Sequence, residues 1–141
     1  MQTKNTAAES ALTPADLDSI IERYVAVWSE PDPDARRRAV EGLWAGDGVE
    51  FVENVQFRGH EALDARVTEA YQAFVESGKF AVTRADDAAY RRDAATFTIQ
   101  LLPADSGWPG EPAWAARVVL LLAEDGLIQE DYHVTVLPLA G

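Results

Sequence analysis

Asp131 and His133 stand two residues apart in the run Gln129-Glu130-Asp131-Tyr132-His133-Val134-Thr135. On a β-strand this spacing aims an acid and an imidazole out of the same face of a rigid support. A carboxylate in a partly apolar pocket has a raised pKa, and an imidazole beside a carboxylate is favoured in its charged form. Either group then suits the removal of a proton next to a carbonyl, the step shared by aldol cyclisation and enol isomerisation. The competing reading is a polar strand face turned to solvent or to a partner subunit. Glu53 interrupts an apolar stripe formed by Val49, Phe51, Val55 and Phe57. It is either a second buried acid or the wet end of a strand, and strand ends are frequently exposed. As catalytic candidates we take Asp131, His133 and Glu53.

These residues need elements to hold them. Trp114 to Ala123 and Ile128 to Val136 flank Glu124-Asp125-Gly126, which reads as a β-hairpin. The first arm is apolar on both faces apart from Arg117, as a strand buried on both sides would be. The second alternates, with Gln129, Asp131, His133 and Thr135 on one face and Ile128, Glu130, Tyr132 and Val134 on the other. Upstream, Thr13-Pro14-Ala15-Asp16 is a compact helix start, and Leu17, Ile20, Ile21, Tyr24, Val25 and Trp28 recur at helical spacing to about Ser29. Asp32-Pro33 opens a shorter helix whose Arg36-Arg37-Arg38 run reads as a solvated face. Gly46-Asp47-Gly48 is a turn, Val49 to Phe57 a strand, and His60 to Ser77 a third helix stopped by Gly78. Phe80 to Arg84 and Tyr90 to Leu102 read as strands, and Pro103 to Pro112 as a loop or lid. The order predicts an α+β layout in which a curved sheet under helices leaves a cavity at its open end. Residues 1–12 read as a frayed tail and 13–138 as a single domain. Tyr24, Trp28, Phe51, Tyr71 and Trp114 are the candidate substrate-binding walls, the tyrosines offering hydroxyls at polar spots.

Composition removes whole classes of chemistry. The net charge of -12 is unsuited to a phosphate backbone or an anionic membrane surface. With no cysteine there is no disulfide, thiolate ligand or cysteine nucleophile, and two histidines are few for a dedicated metal site. No cofactor motif is present, so the expected chemistry is proton transfer or water addition without cofactor or metal. No stretch reaches membrane-spanning length and no apolar signal core opens the chain, which makes cytoplasm the default expectation.

The pieces RRRAVEGLWAGDGVEF, FRGHEALDARVTEAY and DGLIQEDYHVT follow one another in an order that resembles the SnoaL-like, polyketide cyclase-like branch of the nuclear transport factor 2-like superfamily. The resemblance runs from about Leu12 to Val136. Its recognisable parts are Leu43-Trp44-Ala45 with Asp47, the helix entry Arg58-Gly59 with Ala62-Leu63, and the last glycine and strand. It implies a cone-shaped, curved antiparallel sheet with three helices on its concave face, a cystatin-like α+β barrel. It also implies a homodimer through the outer sheet face and a cavity for a small apolar molecule. In several catalytic relatives an acid on the last strand points into that cavity. Here that position falls on His133, with Asp131 one pleat earlier, a departure from the family's pattern. Relatives include cyclases, isomerases, dehydratases and members without activity, so the resemblance implies no single reaction. Two readings follow: a cofactor-independent cyclase- or isomerase-type enzyme acting on an apolar carbonyl compound, or a non-catalytic ligand-binding or dimerisation module of the same fold.

Overall fold

The computed structural model describes residues 12–104 and 110–140. The proposed tail therefore falls almost wholly outside the described residues, as does the centre of the Pro103–Pro112 loop. Helix α1 spans Pro14–Val27, its expected start closed by a capping box: Thr13 Oγ1 accepts from Asp16 N at 3.1 Å and Thr13 N donates to Asp16 Oδ2 at 3.0 Å. Leu17, Ile20, Ile21, Tyr24 and Val27 form its buried stripe. Helix α2 spans Pro33–Leu43 and is capped by Asp32. Arg36 corrects the expectation of a solvated arginine run, because it is buried. Its Nη1 donates to Glu30 O at 2.6 Å and its Nε to Thr68 Oγ1 at 3.1 Å, while its guanidinium lies over the Tyr71 ring. Helix α3 spans His60–Ala70 and continues as a π-helical turn, Tyr71–Val75, where Glu76 N reaches Tyr71 O at 2.8 Å.

The strands are β1 (Trp44–Val52), β2 (Val55–Arg58), β3 (Phe80–Arg84), β4 (Ala89–Arg91), β5 (Ala94–Pro103), β6 (Trp114–Leu122) and β7 (Ile128–Leu137). Two expected strands are each split by a turn: Val49–Phe57 folds back at Glu53-Asn54, and Tyr90–Leu102 at Arg92-Asp93. Glu53 and Arg92 take positive φ, 53° and 55°, the conformation that tight hairpin turns demand. The sheet order is β2-β1-β7-β6-β5-β3, with β4 also on β5. All neighbours are antiparallel except β1 and β7, which run parallel. The sheet is thus mixed rather than wholly antiparallel. Its inner face carries Ala95, Phe97, Ile99, Ala116, Val118 and Leu120 against the stripe of α1, within one core. The outer face of β6 is only partly covered, unlike the doubly buried strand expected, and Leu121 is exposed.

Two irregularities set which side chains point inward. Between β6 and β7, Leu122 pairs with Ile128 but Leu121 with Glu130, so Gln129 is an extra residue. This bulge turns Ile128 into the core along with Asp131, where strict alternation placed it outside. Between β1 and β7, Trp44 pairs with Ile128 but Val49 with Glu130, so the expected Gly46-Asp47-Gly48 turn is a bulge inside the strand. Gly48 sits where that bulge crosses β7: a Cβ there would lie 2.7 Å from Ile128 O and 3.1 Å from Ala45 O, both backbone atoms. Gly48→Ala is therefore expected to cost about 1–3 kcal/mol, through overpacking that rigid backbone cannot relieve. Thermal unfolding measures it, and an unchanged Tm would mean that the crossing has room.

Candidate functional site

Parallel pairing of β1 with β7 places Glu50 beside Asp131 and Val52 beside His133. Period-two alternation then aims Glu50, Asp131 and His133 at the concave face, while Phe51 and Tyr132 stack on the outer one at 4.9 Å. Glu50 and Asp131 are fully buried and His133 nearly so. From α1, Tyr24 reaches across the core. Its hydroxyl donates to Asp131 Oδ2 at 2.7 Å and also contacts His133 Nε2. His133 Nε2 lies 3.1 Å from Glu50 Oε2 and 3.4 Å from Asp131 Oδ1. From α3, Arg66 Nε donates to Glu50 Oε1 at 3.0 Å, its guanidinium lying over the rings of Trp28 and Phe57.

Burial dominates the protonation of this cluster. It lifts Asp131 well above the usual carboxylate range, helped by the charge of Glu50 and only partly opposed by the Tyr24 hydrogen bond and by Arg66. The Trp44 indole N–H also favours the charged form of Asp131, though it closes no hydrogen bond of ordinary geometry. Burial raises Glu50 too, and there the Arg66 guanidinium and its hydrogen bond pull back. His133 is pushed down to about 3 by burial, with the charge of Arg66 adding to it. Its direction is opposite to the expectation of a carboxylate-stabilised imidazolium, because removing the ring from water outweighs its acidic neighbours. Tyr24 is raised well above its ordinary value by burial and the neighbouring carboxylates. Burial thus favours the neutral imidazole and the protonated form of Asp131, while Arg66 favours the charged form of Glu50.

His133 opens onto a cavity of about 280 Å³. Trp28, Phe74, Ile99, Leu101 and Trp114 give it apolar walls; Arg66, Thr135 and Glu53 add polar spots. Among the expected residues, Asp131, His133 and Tyr24 come together, and Trp28 and Trp114 line the cavity. Two lie elsewhere, and Glu53 lines the cavity only at its margin. Phe51 is on the outer face because its strand pairs it with Tyr132, and Tyr71 packs under Arg36. Glu53 sits in the β1–β2 turn at the cavity margin, accepting from Thr135 Oγ1 at 2.9 Å, apart from the buried group. Sequence reasoning missed Glu50 and Arg66. The signal for Glu50 was a carboxylate between Val49 and Phe51, but taking the apolar residues as the inner face turned it outward. Arg117 on β6 pairs within the chain with Asp87 at 2.7 Å.

Glu50, Asp131 and His133 each bring a ligand atom within 4.8 Å of the others, close enough for a divalent cation. However, the Tyr24 hydroxyl lies against Nε2 and Arg66 already neutralises Glu50, so the group fits a shared proton better than a resident metal.

No family model matches the sequence, and no curated protein matches it. Solved structures do. A candidate isomerase of the SnoaL-like family from Agrobacterium tumefaciens superposes with a TM-score of 0.75 at 21% identity, over 86% of this chain and 97% of that one. A candidate polyketide cyclase from Sinorhizobium meliloti gives 0.60 at 17%, over 84% and 97%. A hypothetical protein with a ketosteroid isomerase-like fold from Catenulispora acidiphila, solved with trimethylamine, gives 0.61 at 18%, over 86% and 85%. At these identities the likeness defines the fold: the cystatin-like, nuclear transport factor 2-like α+β cone. It does not transfer a reaction.

A buried acid held neutral has a signature in stability. With its folded pKa above the unfolded value of 3.8, Asp131 costs nothing below about pH 4 and weakens the fold progressively as pH rises toward its folded pKa. Asp131→Asn, which can still accept from Tyr24, is therefore expected to match the wild type near pH 4 and exceed its Tm by several degrees near pH 8. Thermal unfolding across that range measures the gap, and parallel curves would show that Asp131 is not held protonated.

Proposed function

We propose that the chain is an acid–base enzyme of isomerase or cyclase type, acting on an apolar carbonyl compound without a cofactor. The observation that carries this reading is a neutral imidazole opening onto an apolar cavity while backed by a buried carboxylic acid and a buried carboxylate. His133 Nε2 is already engaged, and Nδ1 is buried without a partner among the described residues, so this reading requires a small turn of the ring to bring Nδ1 to a substrate. In this scheme Nδ1 takes a proton from the carbon next to the carbonyl. The C–H electron pair becomes the C=C bond of an enolate and the carbonyl π pair moves onto oxygen. Glu50, 3.1 Å away, stabilises the imidazolium so formed. Return of the proton at another carbon completes an isomerisation, and attack of the enolate carbon on a second carbonyl closes a ring. The isomerase and cyclase descriptions of the Agrobacterium and Sinorhizobium neighbours agree with this class.

The second reading, a ligand-binding module, is favoured by the complete burial of Glu50 and Asp131, which cannot touch a ligand themselves. Exchange of α-protons for deuterium in 2-tetralone, an apolar enolisable ketone, separates the two. His133→Gln should slow enzyme-dependent exchange by about 10²–10⁴-fold, as for removal of a general base. No exchange above solvent in the wild type, or equal exchange in the variant, would leave the binding module. The same burial predicts that His133 ring resonances stay fixed from neutral pH down to about pH 4, since protonation waits until about 3. An NMR titration midpoint near 6.5 would remove the neutral-imidazole premise.

We also propose that two copies associate through the outer sheet face, where Val134 and Leu121 are 59% and 37% exposed. Val134→Glu should then shift the protein toward monomer in analytical ultracentrifugation, and a wild type already monomeric would refute this.

A further inference from the structure

Arg66 is the one permanently charged cation among the described residues that line the cavity. Its setting is unusual for an arginine that serves only to neutralise an acid. A single hydrogen bond, from Nε to Glu50 Oε1, holds it. The rings of Trp28 and Phe57 lie 5.3 and 5.5 Å from the guanidinium carbon and restrict its motion. No protein acceptor engages Nη1 or Nη2 among the described residues, although the side chain is four-fifths buried. A guanidinium held in place by Nε and the neighbouring rings, with its far edge unoccupied, is a preformed fork for two oxygens in its plane. The remaining walls are chiefly apolar and aromatic, with Trp28 and Trp114 both contributing.

We infer that Arg66 is the recognition group of the cavity, and that the ligand is a monocarboxylate carried on an apolar, ring-sized body. This deepens the proposed function and rests on its premise that the cavity takes an apolar small molecule. The carboxylate meets Nη1 and Nη2 while the body lies along the apolar walls. His133, which lines the same cavity, is then presented with the carbon skeleton rather than with the charged end. Glu53 is the only carboxylate lining the cavity among the described residues, and it sits in the marginal turn. It therefore opposes the reverse orientation by repulsion. Because Glu50 already balances the charge of Arg66, selectivity comes from two charge-assisted hydrogen bonds rather than from excess positive charge. The expected preference is accordingly modest, about tenfold to a hundredfold.

The test compares 2-naphthoate with 2-naphthamide, which have the same ring system and differ in charge at the head, by isothermal titration and tryptophan fluorescence on the full chain. The wild type should bind 2-naphthoate at least about tenfold more tightly. Arg66→Met, which keeps an apolar stem between the two rings, should erase the preference while still binding the amide. Equal binding of the two probes by the wild type, binding of neither, or a preference that survives in Arg66→Met would each overturn the inference. If Arg66→Met does not fold, the wild-type comparison alone decides. The readout is independent of turnover: a carboxylate preference without α-proton exchange would keep Arg66 as a recognition group and discard the enzyme reading. Exchange without the preference would do the reverse.

Discussion

The site depends on one pairing, the parallel ladder between β1 and β7. These strands are far apart in sequence, and their register alone sets Glu50 against Asp131 and brings Val52 to His133. Two adjacent carboxylates in a core are costly unless their charge is removed or matched. Here both remedies operate: Arg66 matches Glu50, and burial leaves Asp131 holding its proton. Each remedy comes from a different layer, since Arg66 belongs to α3 and Tyr24, which anchors Asp131, belongs to α1. Both helices are thereby tied to the sheet by polar bonds inside the core. Trp44 and Phe97 pack around the Tyr24 ring and keep water from that link.

What could be read in the sequence follows the range of the interactions. The start of α1 was legible because its signals are local: Thr13, Pro14 and Asp16 act within one turn. Asp131 and His133 were legible as partners because a strand has a strict period of two, and no bulge falls between them. The bulge at Gln129 lies just upstream, and Ile128 was placed on the wrong face for that reason. Glu50 was hidden by a different cause. The β1–β2 turn at Glu53-Asn54 contains no glycine, so the chain looked continuous and the apolar residues of one long strand appeared to mark its inner face. Arg66 carries no local signal at all, because its meaning lies in a carboxylate sixteen residues away on another element.

The direction of the His133 shift shows how a motif read in isolation misleads. An acid beside an imidazole suggests an ion pair, and at a surface that is the usual outcome. Inside a dry core, charging either group must overcome desolvation, and the neutral pair wins. The same two residues at the same spacing would thus form a pH-sensitive pair on an exposed strand, whereas burial favours their neutral forms here.

The π-helical turn at Tyr71–Val75 has a consequence of a different kind. A π turn is in effect one surplus residue absorbed by a helix, and everything beyond it is rotated relative to an ordinary α-helix. Phe74 and Val75, which line the cavity, lie within this turn, and Phe74 meets Phe80 at the head of β3. Arg66 and Leu63 lie before it, on the regular part of the helix. The contour of that wall is therefore governed by chain length rather than by side-chain identity. Loss or gain of a single codon there would re-cut the cavity wall and leave the β1–β7 register untouched.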